Sequence, residues 1–298
     1  MAGVRCRAAR LIGRAVSAAL FFGAGAAAAA EWLFDVDAGA FYDSNLSRAQ
    51  KSSDVRADAA AALAASAANF FALTGNDSLT LSIDGRAEAY HRFHGLDSLG
   101  AGASADFRHK FGLGYAAPWL RITASGSYDG YQENLRSGAR LDAHAELGQR
   151  FSEQFDAAIG GTLDRRYAQH DEPVVRGISG KVFDLRGHSA YLRAGYAATE
   201  AFLLNARVEV RRGDVVSSTR RNLEIFEASS AIAHDPAFGE DFFAYRLRGT
   251  TGTATVSASW AINARSSLNL VYAAERTRAY DDLDYHSYRV DFSYAYRY

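Results

Sequence analysis

From residue 31 onward the chain alternates. Leu79, Leu81, Ile83, Gly85, Ala87 and Ala89 interleave with Thr80, Ser82, Asp84, Arg86 and Glu88. Leu141, Ala143, Ala145 and Leu147 interleave with Arg140, Asp142, His144 and Glu146, and the same pattern runs from Phe202 to Arg211. Successive side chains of a strand point to opposite faces, so each of these segments has one apolar face and one charged face. Read this way, the sequence predicts twelve strands at 32–43, 55–73, 79–93, 99–111, 119–131, 139–151, 155–168, 183–197, 202–215, 242–260, 266–278 and 285–298. Residues 57–73 are alanine-rich, and a helix competes there with a strand. Ten strands is the alternative count if this segment and 242–260 are not strands.

The connections after even-numbered strands are short, whereas 169–182 and 216–241 are long. Short turns on one side and long loops on the other, with alternating strands between them, predict an all-β fold. It is a transmembrane antiparallel up-and-down barrel, with both termini periplasmic. The three prolines, Pro118, Pro173 and Pro236, all fall in connections, where a missing N–H costs no ladder bond. Aromatic residues collect at strand ends. Trp32, Phe71, Phe111, Trp119, Phe151, Phe155, Tyr196, Phe202, Trp260 and Tyr298 mark one end; Tyr42, Phe93, Tyr128, Tyr167, Phe183, Phe242, Tyr245 and Tyr288 mark the other. Two such girdles are expected at the two membrane interfaces.

Residues 1–30 read differently. Arg5, Arg7, Arg10 and Arg14 precede a short apolar stretch and a run of small residues ending at Ala30, the pattern of a cleavable export signal. The two expected segments are therefore a signal peptide, 1–30, and a barrel, 31–298. Cys6, the one cysteine, falls in the signal, so no disulfide is expected in the barrel. Beyond the signal, 29 Lys and Arg face 34 Asp and Glu, a balance that offers no bulk attraction for nucleic acid.

The last strand places Val290, Phe292, Tyr294, Tyr296 and Tyr298 on one face. This resembles the carboxy-terminal signal of bacterial outer-membrane barrel proteins, which the barrel-assembly machinery reads. The resemblance implies the outer membrane as the location, lipid as the surrounding partner and Tyr298 as the end of the signal. Phe41-Tyr42-Asp43-Ser44-Asn45 also resembles an element in the barrel part of surface lipoprotein assembly modifiers, whose repeat-rich domain has no counterpart here.

Alternation puts the polar set inside. The candidates for lining a pore are Asp84, Arg86, Glu88, Asp106, Arg108, Arg121, Arg140, Asp142, Glu146, Arg166, Arg193, Arg207, Glu209, Arg211, Arg289 and Asp291. Asp35, Asp37, Asp129, Asp156, Asp164, Glu275, Arg92, Lys110, Arg150 and Arg297 share their parity. The signs balance, so neighbours on adjacent strands either neutralise one another or line a narrow polar channel, with Arg207 and Arg211 as one local cationic row. In loop 216–241, Asn222 is placed to cap a helix through Leu223, Ile225, Phe226 and Ile232. That loop is either a constriction of the pore or a cap resting on its neighbours.

Chemistry is sparse. The chain has neither an H-E-x-x-H nor a Gly-x-Ser-x-Gly motif, and no metal-ligand spacing or cofactor motif stands out. Asp281-Asp282-Leu283-Asp284-Tyr285-His286 is the best acid–imidazole cluster, with Asp284 and His286 on one face of a strand. The reading expected from these features is a non-enzymatic, porin-like passive channel for small polar solutes. The alternatives are a closed barrel serving assembly or export and, behind it, an outer-membrane hydrolase.

Overall fold

The computed structural model describes residues 32–279 and 283–298. The signal segment, Asp281 and Asp282 lie outside the described residues. The strands are β1 (Trp32–Asp43), β2 (Asp58–Ala72), β3 (Asp77–Tyr90), β4 (Ser98–Lys110), β5 (Trp119–Tyr131), β6 (Gly138–Arg150) and β7 (Phe155–Ala168). They continue with β8 (Leu185–Ala197), β9 (Phe202–Arg220), β10 (Ala231–His234), β11 (Phe242–Asn263), β12 (Ser266–Ala279) and β13 (Asp284–Arg297). One helix, α1 (Leu223–Ala228), lies between β9 and β10. Every strand pairing is antiparallel, and β1 to β9 follow one another around the sheet. The ring passes from β11 through β12 and β13 to β1, and β9 pairs with β11 to close it. Twelve strands form the wall; β10 stands outside it as a flap on β11.

The alanine-rich segment is a strand. β2 pairs along its length with β1 on one side and β3 on the other, from Trp32↔Asn69 to Asp43↔Asp58 and from Ala60↔Tyr90 to Ala72↔Ser78. A helix here would leave two facing ladders open, and an open edge in hydrocarbon costs several kcal/mol per unsatisfied group, on the order of the values for buried amides. Against that, the helix preference of alanine amounts to tenths of a kcal/mol per residue, roughly. Closure wins.

The wall is apolar outside. Exposure along its middle runs from 43 % at Leu81 to 58 % at Leu192, with Ile122, Leu141, Val256, Leu270 and Phe292 between. Trp32, Phe111, Phe151 and Trp260 flank this band at the end that holds the termini, and Tyr42, Tyr128, Tyr167 and Tyr288 flank it at the other. The girdle predicted from sequence needs correction at both ends. Trp119 points inward and is buried; the space a Cβ on Gly148 would need is taken by its ring. Phe183, Phe242 and Tyr245 are buried beneath the long loops, and Phe93 packs on Phe238 there.

The buried apolar core sits at the mouth. Its three clusters combine residues from β9, β10, β11 and α1 with residues of the connections around them and with the upper ends of β1, β2, β3 and β13. β9 runs five residues past its predicted end, and Phe242–Arg248 of β11 pair with β9 and β10 instead of β12. The resulting arm leaves the wall and folds over the opening.

A cationic residue on the middle of the outer wall should be costly. Leu192→Arg is expected to lower the unfolding free energy in lipid by about 2–4 kcal/mol, measured by urea titration in liposomes. An unchanged midpoint would mean that this face does not meet hydrocarbon.

Candidate channel interior and its cap

The predicted interior residues occupy the inward-facing register positions of the strands, except Arg92, which lies beyond the end of β3. Most are ion-paired. Arg86 meets Asp129 at 2.7 Å and Asp84 at 3.8 Å. Arg193 meets Glu146 at 2.7 Å and Asp156 at 2.9 Å. Arg211 reaches Asp164 at 2.7 Å, Arg207 reaches Glu209 at 2.7 Å, and Arg121 reaches Asp106 at 2.5 Å. Arg140 pairs with Asp142 at 2.8 Å and Arg289 with Asp291 at 2.6 Å. Glu88 accepts a hydrogen bond from the Tyr90 hydroxyl, and Arg108 stands 5.1 Å from the ring of Trp119. Arg166 has no carboxylate partner among the described residues; it donates to the Arg136 carbonyl and faces the Phe183 ring at 5.3 Å. Arg207 and Arg211 are thus each neutralised and form no free cationic row.

Three of these pairs bridge over an intervening strand, Arg193 on β8 to Glu146 on β6 among them, and two of the three pass over a glycine. Arg86 on β3 reaches Asp129 on β5 across Gly100, and Arg211 on β9 reaches Asp164 on β7 across Gly187. A Cβ on Gly100 would lie 2.2 Å from the Asp129 carboxylate, and one on Gly187 would lie 2.3 Å from the Arg211 guanidinium. Only glycine leaves that saddle open.

Direction matters more than number. Every ion pair within the wall joins residues of one strand, adjacent strands or strands two apart; among the described residues none crosses the interior. A twelve-stranded wall tilted by about 40° has a backbone radius of roughly 12 Å. Side chains that lie flat along such a wall leave its axis unfilled. The wall is also uneven. β3 to β9 carry most of the charge, whereas β11 presents Thr251, Thr253, Thr255 and Ser257, and β2 presents Ala60, Ala62 and Ala64.

The cap lies at the end opposite the termini. Asn222 receives the Glu224 N–H at 3.1 Å, as expected of a helix cap. The helix stops at Ala228, however, and Ile232 belongs to β10. A polar Ser229-Ser230 step breaks the helical pattern there, and the Ile232 N–H donates to Ser179 at 2.9 Å. From the β9–β11 side the arm reaches across the opening. Ser218 and Ser217 donate to the carbonyls of Ser47 and Arg48 in the β1–β2 connection, both at 2.8 Å. Phe238 meets Phe93, in the β3–β4 connection, at 5.4 Å between ring centres, and Phe242 packs with inward-facing Phe41 and Tyr90. β4 stands six strands from β11 in the ring, so the arm spans the whole mouth.

One ion pair fastens it. Arg136, in the β5–β6 connection, holds Asp235 with two hydrogen bonds of 2.6 and 2.7 Å. Asp235 is fully buried and also accepts from Ser218. Burial opposes the charge on each partner, but each holds the other ionised: the Asp235 carboxyl titrates below its ordinary value and the Arg136 guanidinium above its own. Arg136 is flanked by the rings of Phe183 at 4.8 Å and Phe238 at 5.1 Å. Neither Arg136 nor Asp235 stands out in the sequence. The sole signal is the Asp-Pro turn at 235–236, which marks a connection but not its destination.

The acid–imidazole pair does not assemble. Asp284 and His286 lie on the outer face, opposite the charged interior. Asp284 is claimed by Arg276 and by Arg278, the latter at 3.6 Å. Among the described residues no group of three His, Cys, Asp or Glu is arranged to hold a metal ion.

No protein-family model matches the chain, and no curated protein matches it in sequence. Solved structures match in shape. The COG4313 outer membrane channel from Pseudomonas putida F1 superposes with a TM-score of 0.56 at 12 % identity, over 93 % of this chain and 100 % of that one. The fold is that of the outer-membrane β-barrels. The barrel also resembles the outer membrane channel DcaP of Acinetobacter baumannii, with a TM-score of 0.45 at 9 % identity over 93 % of this chain and 99 % of that one. For the Pseudomonas putida toluene transporter TodX the values are 0.44 and 10 %, over 91 % and 90 %. At these identities the likeness is one of fold.

The cap should answer to its ion pair. Arg136→Ala leaves Asp235 buried and unpaired, a loss of about 3–5 kcal/mol in cap docking. Faster amide exchange across Ala231–His234, with barrel amides unchanged, is the expected readout. Because the folded Asp235 value is depressed, its contribution is complete well above the ordinary carboxylate value of about 3.9, declines as pH falls below it and is gone below the folded value. Protection in the wild-type cap, corrected for intrinsic exchange, should therefore hold down to about pH 4 and fall progressively below it.

Proposed function

We propose that the barrel is a gated passive channel for small polar solutes. The observation that carries this reading is the direction of the interior ion pairs, which run along the wall and leave the axis free beneath the cap. The balanced signs and the hydroxyl lane of β11 favour weak charge selection over strong anion or cation preference. The likeness to the COG4313 channel supports the reading at the level of fold. In this proposal both termini face the periplasm and the capped mouth faces outward. The export signal at 1–30 and β13, ending beside Tyr298, direct secretion and assembly.

The covered mouth favours a second reading, a closed barrel that serves assembly or export through its outer surface. The two readings part in planar bilayers. Replacing residues 222–240 by a short Gly–Ser turn should convert rare, small openings into steady single-channel steps. A barrel that stays silent without its cap would overturn the channel reading and leave the closed one.

Orientation is checked separately. Cys6 falls in the signal, so single cysteines at Glu224 in α1 and Leu113 in the β4–β5 turn provide clean probes. On intact cells a membrane-impermeant maleimide should label Glu224→Cys and spare Leu113→Cys. The reverse pattern would invert the barrel.

A further inference from the structure

The outer wall carries strong positive charge in one place. Six arginines point outward from it, Arg165, Arg186, Arg212, Arg248, Arg276 and Arg278, and all lie on β7 to β12 toward the capped end. The outward positions of β1 to β6 hold no arginine or lysine. The register sets like charges against each other. Arg165 lies directly opposite Arg186, and Arg212 and Arg278 flank Thr250 from its two sides. Like charges opposite one another on neighbouring strands destabilise a sheet.

Protein carboxylates relieve only part of this. Arg165 pairs with Asp184 at 2.8 Å, and Asp284 serves Arg276 and Arg278. Asp214 accepts the backbone N–H of Arg186 at 3.0 Å. Among the described residues, the side chains of Arg186, Arg212 and Arg248 have no carboxylate partner. Asp214, opposite Arg248 in the register, is the one carboxylate among them, so among the described residues three exposed guanidiniums on adjacent strands share a single acid and none forms an ion pair with it.

Directly below them, toward the middle of the wall, the surface is furrowed. Gly252, Ala254 and Ala274 form the floor of an open trough of about 830 Å³, and Leu192, Val208 and Tyr272 form its sides. A Cβ on Gly252 would meet nothing within 4 Å. Arg276 and His286 stand among its lining residues at the upper rim.

We propose that this face is a binding site for the phosphorylated glycolipid of the outer leaflet. Its phosphates bridge Arg186, Arg212 and Arg248, and its acyl chains lie in the trough over Gly252. A planar guanidinium suits phosphate because two parallel N–H groups meet two oxygens. The cations and the furrow occur together, at one height and on one side, and that pairing matches a molecule with anionic groups at one end and hydrocarbon at the other. An unphosphorylated headgroup satisfies only half of it. The placement of this lipid rests on the outward-facing orientation of the capped mouth proposed above.

Binding in detergent does not depend on orientation, so the test separates the two ideas. Purified barrel is titrated with lipid A, with dephosphorylated lipid A and with phosphatidylglycerol, and bound lipid is read by native mass spectrometry. Lipid A should bind in discrete stoichiometry and more tightly than either comparison lipid. The triple variant Arg186→Gln, Arg212→Gln, Arg248→Gln should weaken lipid A on the order of tenfold to a hundredfold. Gly252→Leu, which fills the trough and leaves every arginine, should weaken it as well. Heat-modifiable migration confirms that each variant is folded. Equal binding of lipid A and phosphatidylglycerol, or wild-type affinity in the triple variant, would overturn the site. Specific binding in detergent combined with inverted labelling on cells would leave the site and overturn the orientation.

Discussion

A backbone in hydrocarbon has no water to complete its hydrogen bonds, and the rest of this structure depends on that constraint. It makes closure obligatory: β9 must find β11 and β13 must find β1, because any free edge would leave a row of donors and acceptors unpaired. It also explains how β2 can be built largely of alanine. In water such a segment would favour a helix, but between two waiting ladders each residue completes bonds that β1 and β3 need. Closure then divides every strand into two environments, and the two-residue period follows.

Inside, a charge set against the low-dielectric wall is costly when unpaired, which draws arginine and carboxylate together. They have two ways to meet, along the wall or across the axis. The observed pairs run along it, and Gly100 and Gly187 permit two of the longer spans. A wall neutralised locally has no electrostatic need to collapse inward. The apolar packing that a soluble protein puts at its centre is displaced to one mouth, where Phe41, Tyr90, Phe238 and Phe242 join connections from opposite sides of the ring. The barrel wall thus holds itself together through backbone pairing, and the cap holds itself through side-chain packing. Two different forces stabilise two parts of one chain.

That division also decides what could be read in advance. The strands were legible because alternation is imposed by two solvents acting on a fixed geometry; β1, β5 and β7 begin and end where the pattern does. The interior residues were legible by parity alone. Their partners were not, since an arginine can reach a carboxylate on its own strand, as Arg140 does, or two strands away, as Arg193 does. The cap was legible only as a loop with a capped helix. Its destination depends on Arg136 meeting Asp235, residues 99 apart in the chain, and no period links them. Trp119 shows the limit of reading by residue type. Aromatic residues gather at interfaces, but parity places this one on the inner face, with Arg108 beside it.

The outer arginines follow the same logic to a different end. On the inner wall, acids and bases alternate closely enough to neutralise each other in place; on the outer wall of β8, β9 and β11, among the described residues, three arginines have Asp214 alone beside them. A folded chain under no other demand would not set Arg165 against Arg186, or Arg212 and Arg278 on either side of Thr250, at the edge of an apolar band. Water alone screens such charges poorly beside hydrocarbon, where the effective dielectric falls. In the proposed site the surplus positive charge is balanced by lipid phosphates at that height. On that proposal the barrel completes its electrostatics in two ways, internally by its own carboxylates and externally by the leaflet around it.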